Sequence, residues 1–208
     1  MDSMLHVEAL EKSYADFRLD NISFDLPEGY IMGLIGPNGS GKTTTIKAIL
    51  NMTERDGGKI TVFGKDNIAS EQEIKKDIGA VFDSSSFVDE WTMADVEKAY
   101  TLFYPAWDSE KYWSLLSRFR IGKTKKVKEL SKGMQMKLML ACAFSYDARL
   151  LILDEPTSGL DPVSRDELLD ILCEYIEDGR RSRAFFLPTS HLIWKKSQTT
   201  SPISTWDS

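Results

Sequence analysis

The strongest chemical signal in the chain is the run Gly36-Pro37-Asn38-Gly39-Ser40-Gly41-Lys42-Thr43, followed by Thr44. It fits the pattern G-x-x-x-x-G-K-[ST]. Glycines at these places let the backbone fold so that successive N–H groups point inward, at phosphate oxygens. Lys42 then reaches the β- and γ-phosphates of a nucleotide, and the Thr43 hydroxyl is an oxygen donor for Mg²⁺. A glycine-rich turn is the rival reading of such a run. The flanks decide against it: the apolar run "YIMGLIG" comes before, and "KTTTIKAILNM", with Ile46, Ile49 and Leu50 on one helical face, comes after.

A second signal is "LLILDEP", residues 150–156. Its apolar run carries Asp154 and Glu155 to the end of a strand, where ligands bind in open α/β sheets. Asp154 is placed to hold the Mg²⁺ shell. Glu155 is placed to polarise an attacking water, because a general base must lie within hydrogen-bond reach of the proton it takes. Alone, an acidic strand end is common; paired with the glycine loop it points to nucleotide hydrolysis.

These residues need elements to position them. "MLHVEALEKSY" and "FRLDNISFDLPEG" read as edge-type strands, "YIMGLIG" as a buried central strand, and "GGKITVFG" and "KKDIGAVFD" as further strands. Residues 84–148 change character and read as helical, in "MADVEKAYTLFY", "DSEKYWSLLSRF" and "KGMQMKLMLACAFSY", with Asp108 or Ser109 as an N-cap. "ARLLILDEP" returns to buried-strand composition. "SRDELLDILCEYIEDG" is an amphipathic helix with Gly179 as its stop signal, and "RAFFLP" is a candidate last strand. The order predicts a layered α/β fold with a helical insert.

At "LSKGMQ", residues 130–135, the chain resembles an ATP-binding-cassette (ABC) ATPase. The motif order GPNGSGKT, LSKGMQ, LLILDEP, SGLDP is also that family's, and the likeness covers about residues 4–182. The resemblance implies a P-loop NTPase (RecA-like) core with an antiparallel β edge and a helical subdomain at about 84–148. It implies that Ser131 and Gly133 of the signature face the γ-phosphate of ATP held by a second ATPase subunit, in a head-to-tail dimer, homo- or heteromeric. Lys132 and Met134 depart from the usual L-S-G-G-Q. Asp161 resembles the residue that contacts the partner across that dimer, or else closes a turn before Pro162. Tyr14 resembles the aromatic that stacks on adenine, with a surface strand aromatic as its rival. Where the family places a Mg²⁺-touching glutamine, this chain has Asp83, which adds negative charge beside the triphosphate. "FYPAWDSEKYWSLLSRFRI" and "SKGMQMKLMLA" look closest to bacterial exporter ATPases of the antibiotic- and drug-resistance type. That implies a transmembrane permease as partner, docked near Asp83–Glu90 and the helical insert, and a place on the inner face of the cell membrane.

The segment 183–208 breaks the pattern. The family expects a histidine after the last core strand, and His191 stands a few residues late. Trp194 is encoded by TGG, so its last G with the AA of Lys195 spells Glu in a frame shifted by one nucleotide. Trp206 likewise gives Gly before Asp207. With permitted codons that frame reads S-I-L-S-S-H-I-T-S-D-L-E-K-K-P-D-Y-I-T-Y-I-D-M-G, which resembles the family's histidine segment with its next helix and strand. The expectation is a frameshift near Ser182–Arg183; a divergent tail is the alternative.

Composition sets the outer bounds. The chain has 208 residues, a formal net charge of −6 and 42% hydrophobic residues, enough for one buried core but not for a broad nucleic-acid-binding surface. Its two cysteines, Cys142 and Cys173, show no C-x-x-C pairing and read as buried thiols in a reducing compartment. No signal peptide is read at the start, and no apolar run reaches the ~18 residues of a membrane span. Two other readings stay open: a non-transport ABC ATPase acting on ribosomes or DNA, and a nucleotide binder inactivated by its altered C-terminus.

Overall fold

The computed structural model of the chain describes residues 3–82, 87–154, 160–177, 184–189 and 204–205. Two sheets form its frame. The antiparallel one contains β1 (Ser3–Ser13), β2 (Arg18–Pro27), β4 (Gly57–Val62) and β5 (Lys65–Asp66), in the order β2-β1-β4-β5. The parallel one contains β3 (Ile31–Ile35), β6 (Ile78–Val81), β7 (Leu150–Leu153), β8 (Ala184–Thr189) and β9 (Ser204–Thr205), in the order β6-β7-β8-β3-β9. The helices are α1 (Lys42–Ile49), α2 (Glu71–Lys75), α3 (Met93–Phe103), α4 (Ser109–Arg118), α5 (Lys132–Ser145) and α6 (Pro162–Glu177), with a 3₁₀ turn at Val127–Glu129.

The buried side chains form two clusters, and β7 divides them. Leu150 and Ile152 face one cluster, with Met4, Leu26, Ile46 and Ile60; Leu151 and Leu153 face the other, with Met93, Tyr112, Leu138 and Leu168. A strand whose side chains alternate between two covered faces must be apolar throughout, which is why "LLIL" has no polar partner residues. Burying each of these side chains stabilises the fold by about 1.5–3 kcal/mol. Gly79 of β6 permits the closest approach. A Cβ there would stand 2.3 Å from Leu151 Cδ2 and 2.9 Å from Ala143 Cβ, so α5 can lie directly on the sheet. Tyr146, after α5, donates its hydroxyl to the Ile78 carbonyl at 3.0 Å and fastens the helix end to β6.

The helical insert starts with a capping box: Thr92 Oγ1 accepts from Asp95 N, and Asp95 accepts from Thr92 N at 2.9 Å. Asp108, the N-cap of α4, accepts from Lys111 N at 2.9 Å. Among the described residues no helix is long and apolar enough to cross a membrane.

Four features differ from the sequence reading. β1 is an inner strand, between β2 and β4, and not an edge; register shifts at Val7/Leu10 and Leu10/Lys12 blur its alternation into an edge-like pattern. β5 and α2 were not expected, because elements this short carry no periodic signal. Cys173 is half-buried, whereas Cys142 is fully enclosed and burial pushes its thiol well up. β8 is the strand expected in "RAFFLP", but a further strand, β9, joins the parallel sheet after it. β8 lies between β7 and β3, and Ser204–Thr205 pairs with Leu34 and Ile35. Backbone pairing alone satisfies the open edge of β3, so no side-chain period announces β9. Gly179 lies outside the described residues.

Candidate functional site

The loop after β3 and the start of α1 build the site. Gly41 caps α1 with φ 95°, a left-handed conformation that favours glycine. A Cβ there would also meet Leu19 Cδ1 at 2.7 Å and Phe17 Cζ at 2.8 Å. The helix therefore begins directly against the β1–β2 turn. Lys42, only 6% exposed, folds back under the loop and donates to the carbonyls of Gly36 at 2.7 Å and Pro37 at 3.0 Å. A buried ammonium is costly unless it is hydrogen-bonded, and these carbonyls hold it beneath the N–H groups of the loop. The first N–H groups of α1 and the helix dipole add positive potential on the same side.

Asp154 reaches this place from the end of β7, in the same parallel sheet as β3. Its N–H donates to the Val81 carbonyl at 2.8 Å, which fixes the end of β7 beside the end of β6. Its carboxylate accepts the Thr43 hydroxyl, at 3.2 Å to Oδ2 and 3.4 Å to Oδ1. A hydroxyl and a carboxylate side by side suit Mg²⁺, which keeps several waters and phosphate oxygens and takes few protein ligands. No cluster of three or more His, Cys, Asp or Glu side chains that would hold a metal unaided occurs among the described residues.

A cleft of about 530 Å³ opens over the loop, lined by Asp16, Phe17, Asn38, Gly39 and Gly41–Thr44. That volume accommodates a nucleotide. Tyr14 is not among these lining residues. It is half-exposed and packs its ring at 6.4 Å and 30° to that of Phe17. The turn bearing both aromatics is held by Asp56, whose carboxylate takes Lys12 Nζ at 2.9 Å and Ser13 N at 2.7 Å. The Lys12 hydrogen bond, then the Ser13 one, hold the Asp56 carboxyl below its ordinary range. Phe17 and Asp16 are the site residues that sequence reasoning missed. The only hint was a second aromatic three residues after Tyr14, and its placement depends on the turn.

Ser131, Gly133 and Asp161 stand apart from this cleft. Ser131 caps α5, accepting from Met134 N at 3.3 Å. A Cβ on Gly133 would lie 3.3 Å from Leu160 Cδ2, so the signature helix and the segment before α6 are in contact. Asp161 caps α6: it accepts Val163 N and Ser164 N, each at 3.0 Å, and Ser164 Oγ at 2.6 Å. The Ser164 hydroxyl is the first cause holding its carboxyl below the usual range. Both exposed caps present a helix start to solvent. Asp83, Glu155 and His191 lie outside the described residues.

This arrangement is shared with known proteins. The family model for the ABC transporter matches residues 19–158. An uncharacterised ABC transporter ATP-binding protein of Bacillus subtilis is 34% identical over 181 residues, 85% of this chain and 58% of that protein. The lantibiotic transport ATP-binding protein of Streptococcus pyogenes is 32% identical over 179 residues, 85% of this chain and 76% of that protein. The chain thus spans little more than half of the Bacillus relative's length. A solved ATP-binding subunit of an ABC transporter superposes with a TM-score of 0.79 at 28% identity, covering 90% of this chain and 79% of that one. With the glycine loop, the Thr43–Asp154 pair and the two-sheet frame, these matches identify the chain as a member of the ABC transporter ATP-binding family.

Proposed function

We propose that the chain binds ATP with Mg²⁺ and hydrolyses it as the motor subunit of a membrane exporter. The observation that carries this reading is the convergence of Lys42 and the Thr43–Asp154 pair, 3.2 Å apart, at the end of the parallel sheet. Lys42 and the loop N–H groups neutralise the β- and γ-phosphates. Thr43 and Asp154, with Asp83, hold Mg²⁺, which when bound supplies charge neutralisation of the phosphates. Glu155 takes a proton from water as the water oxygen bonds to the γ-phosphorus; the bond from that phosphorus to the bridging oxygen breaks, leaving ADP and phosphate. Positioning and electrostatics supply most of such catalysis.

Phe17, with the Tyr14 ring packed against it, forms the base end of the cleft. Ser131, Gly133 and Asp161 serve a second ATPase subunit, of the same or another kind, by offering their exposed helix starts to its nucleotide. A transmembrane permease completes the assembly and places the chain on the inner face of the membrane. A Nod factor export ATP-binding protein of Rhizobium etli, 34% identical over 178 residues, supports export as the direction.

A second reading, a nucleotide binder that does not turn over, draws on Pro188. Proline lacks the N–H of a ladder residue and is foreign to inner strands, yet Pro188 sits in β8, paired with Leu34. The pairing with β7 ends before it, at Phe186. This fits a tail of shifted reading frame, with 1–182 as the native domain and His191 as a chance stand-in for the histidine of the family. The test compares ATP hydrolysis by the 208-residue chain with a version carrying the shifted-frame tail, each beside its Glu155→Gln variant. Glu155-dependent turnover in the restored version alone supports a motor with an altered tail. Equal turnover in both removes the functional weight of the frameshift. No turnover in either, with ATP bound, leaves the binder.

A further inference from the structure

The densest positive charge in the chain lies where α4 ends. Arg118, Arg120, Lys123, Lys125, Lys126 and Lys128 fall within eleven residues. They are six of the chain's 26 Lys and Arg, and none of its 32 Asp and Glu stands among them. Phe119, Ile121 and Val127 are buried between them, so the segment is anchored from below. Arg120 closes α4 with φ 57°, where glycine is usual: its N–H donates to the Ser117 carbonyl at 3.0 Å, and that of Ile121 to the Leu116 carbonyl at 2.9 Å. The Lys125 N–H donates to the Gly122 carbonyl at 3.1 Å and closes the next turn. Lys123 Nζ lies over the ring of half-buried Trp113, 4.9 Å from its centroid.

Carboxylates compensate only part of this charge. Arg118 pairs with Glu174, and Lys126 and Lys128 share the single carboxylate of Glu90. Among the described residues no carboxylate pairs with Arg120, Lys123 or Lys125. Arg120 and Lys123 are exposed, and Lys125 is half-exposed. One cation at a helix C-terminus serves the helix dipole, an effect that fades within a turn. Lys123 and Lys125 lie beyond that reach, so the needs of α4 do not account for them.

We propose that the turn at residues 120–125 is a contact site for the anionic phospholipid headgroups of a membrane surface, made by Arg120, Lys123 and Lys125. This rests on the reading of the chain as the ATPase of a membrane assembly; what it adds is a contact with the lipid itself, separate from any protein partner. Each Lys or Arg held near an anionic surface strengthens attachment about fivefold. Trp113, an aromatic of the type that settles at headgroup level, borders the same turn through Lys123. Nucleic acid is the other large polyanion, but its backbone is followed by a continuous stripe or groove of cations. Here the uncompensated cations occupy one turn, and the ion pairs to Glu174 and Glu90 flank it in sequence. Lipid headgroups diffuse singly and can gather at so small a patch.

The test is flotation of the full chain with vesicles of phosphatidylcholine alone, and with vesicles in which about a third of the lipid is phosphatidylglycerol. The mixed vesicles are expected to carry the chain at least about tenfold better than the neutral ones. That advantage should vanish between about 0.1 M and about 1 M salt, as the screening length shortens. The triple variant Arg120→Asn, Lys123→Gln and Lys125→Gln should lower the partition coefficient roughly a hundredfold, at about fivefold per cation. Asparagine suits the left-handed φ of position 120. Should the triple variant fail to fold, as judged by its melting curve, Lys123→Gln with Lys125→Gln leaves the helix end intact and should lower the coefficient about 25-fold. Lys59→Gln, on exposed β4 surface, removes charge elsewhere and should change nothing. Equal flotation with both vesicle types, flotation that survives the high salt, or flotation unchanged in the charge variants overturns the proposal. So does failure to float with the mixed vesicles, whether or not a labelled single-stranded RNA binds in their place. ATP turnover measured without vesicles should be the same in the triple variant and the unaltered chain; it reports separately on the motor reading, so the two can fail independently.

Discussion

Lys42 and Asp154 do different work, and substitution separates them. Lys42 is a buried cation whose Nζ is shared between loop carbonyls 2.7 and 3.0 Å away. Lys42→Ala removes the cation that meets the phosphates, and ATP affinity measured by equilibrium dialysis should fall about 10- to 100-fold, the range of a lost charge-assisted contact. Asp154 contacts the Thr43 hydroxyl, and the two together are the oxygen donors placed for Mg²⁺. Asp154→Asn should therefore leave ATP binding in chelator nearly unchanged, and should raise the Mg²⁺ concentration needed for half-maximal hydrolysis. Equal loss of both properties would contradict that division. Both residues were legible in sequence, because a phosphate loop and an acidic strand end are local chemistry. Phe17 was not: its place in the cleft depends on the turn that Asp56 holds through Lys12 and Ser13, and Asp56 is far along the chain.

At the scale of elements, the 3₁₀ turn at Val127–Glu129 has a built-in acid limit. Glu90 lies between Lys126 and Lys128, and their hydrogen bonds, Lys126 first, pull its carboxyl down to about 2. A carboxyl depressed on folding contributes stability that is complete above its ordinary value and is lost as pH falls from there through about 2. Amide protection at Val127 and Lys128, taken as the exchange rate relative to the intrinsic rate at each pH, should accordingly be high at neutral pH and fall once pH drops below the usual carboxylate range. Glu90→Gln should show the low protection at neutral pH as well; high protection in that variant would mean the backbone bonds from Val127 to Trp91 and from Lys128 to Asp89 hold the segment unaided. The helices around it were legible from their period, and the cap of α4 from Asp108. The start of α3 at Met93 was legible too, but its capping box was not, because the box is closed by Asp95 instead of the more usual Glu or Gln. β5 and α2 escaped because two and five residues hold no period.

For the whole molecule, the two buried clusters meet at β7, and Gly79 is where α5, β6 and β7 come closest. Gly79→Ala would drive a methyl to 2.3 Å from Leu151 Cδ2 and 2.9 Å from Ala143 Cβ. Overpacking of this kind costs about 1–3 kcal/mol. Urea unfolding should move to a lower midpoint with an unchanged slope, and a neutral result would mean that α5 can lift from the sheet freely. The layered α/β class was legible from the order of apolar runs. The strand order was not, since nothing local tells β3 that its neighbours are β8 and β9.

That strand order also sets a schedule. The strand that carries the phosphate loop is made early, but Ile31 pairs with Phe185 and Leu34 with Ser204. A ribosome adding about 5–20 residues per second takes roughly ten to thirty seconds between the two halves of the first pairing. Through that interval the nascent β3 has neither lateral partner, and the loop behind it lacks its final support. Nucleotide added to nascent chains should therefore protect the loop from protease only after the β8 segment has left the exit tunnel, which makes the ATP site a late acquisition of synthesis although its phosphate loop is read early.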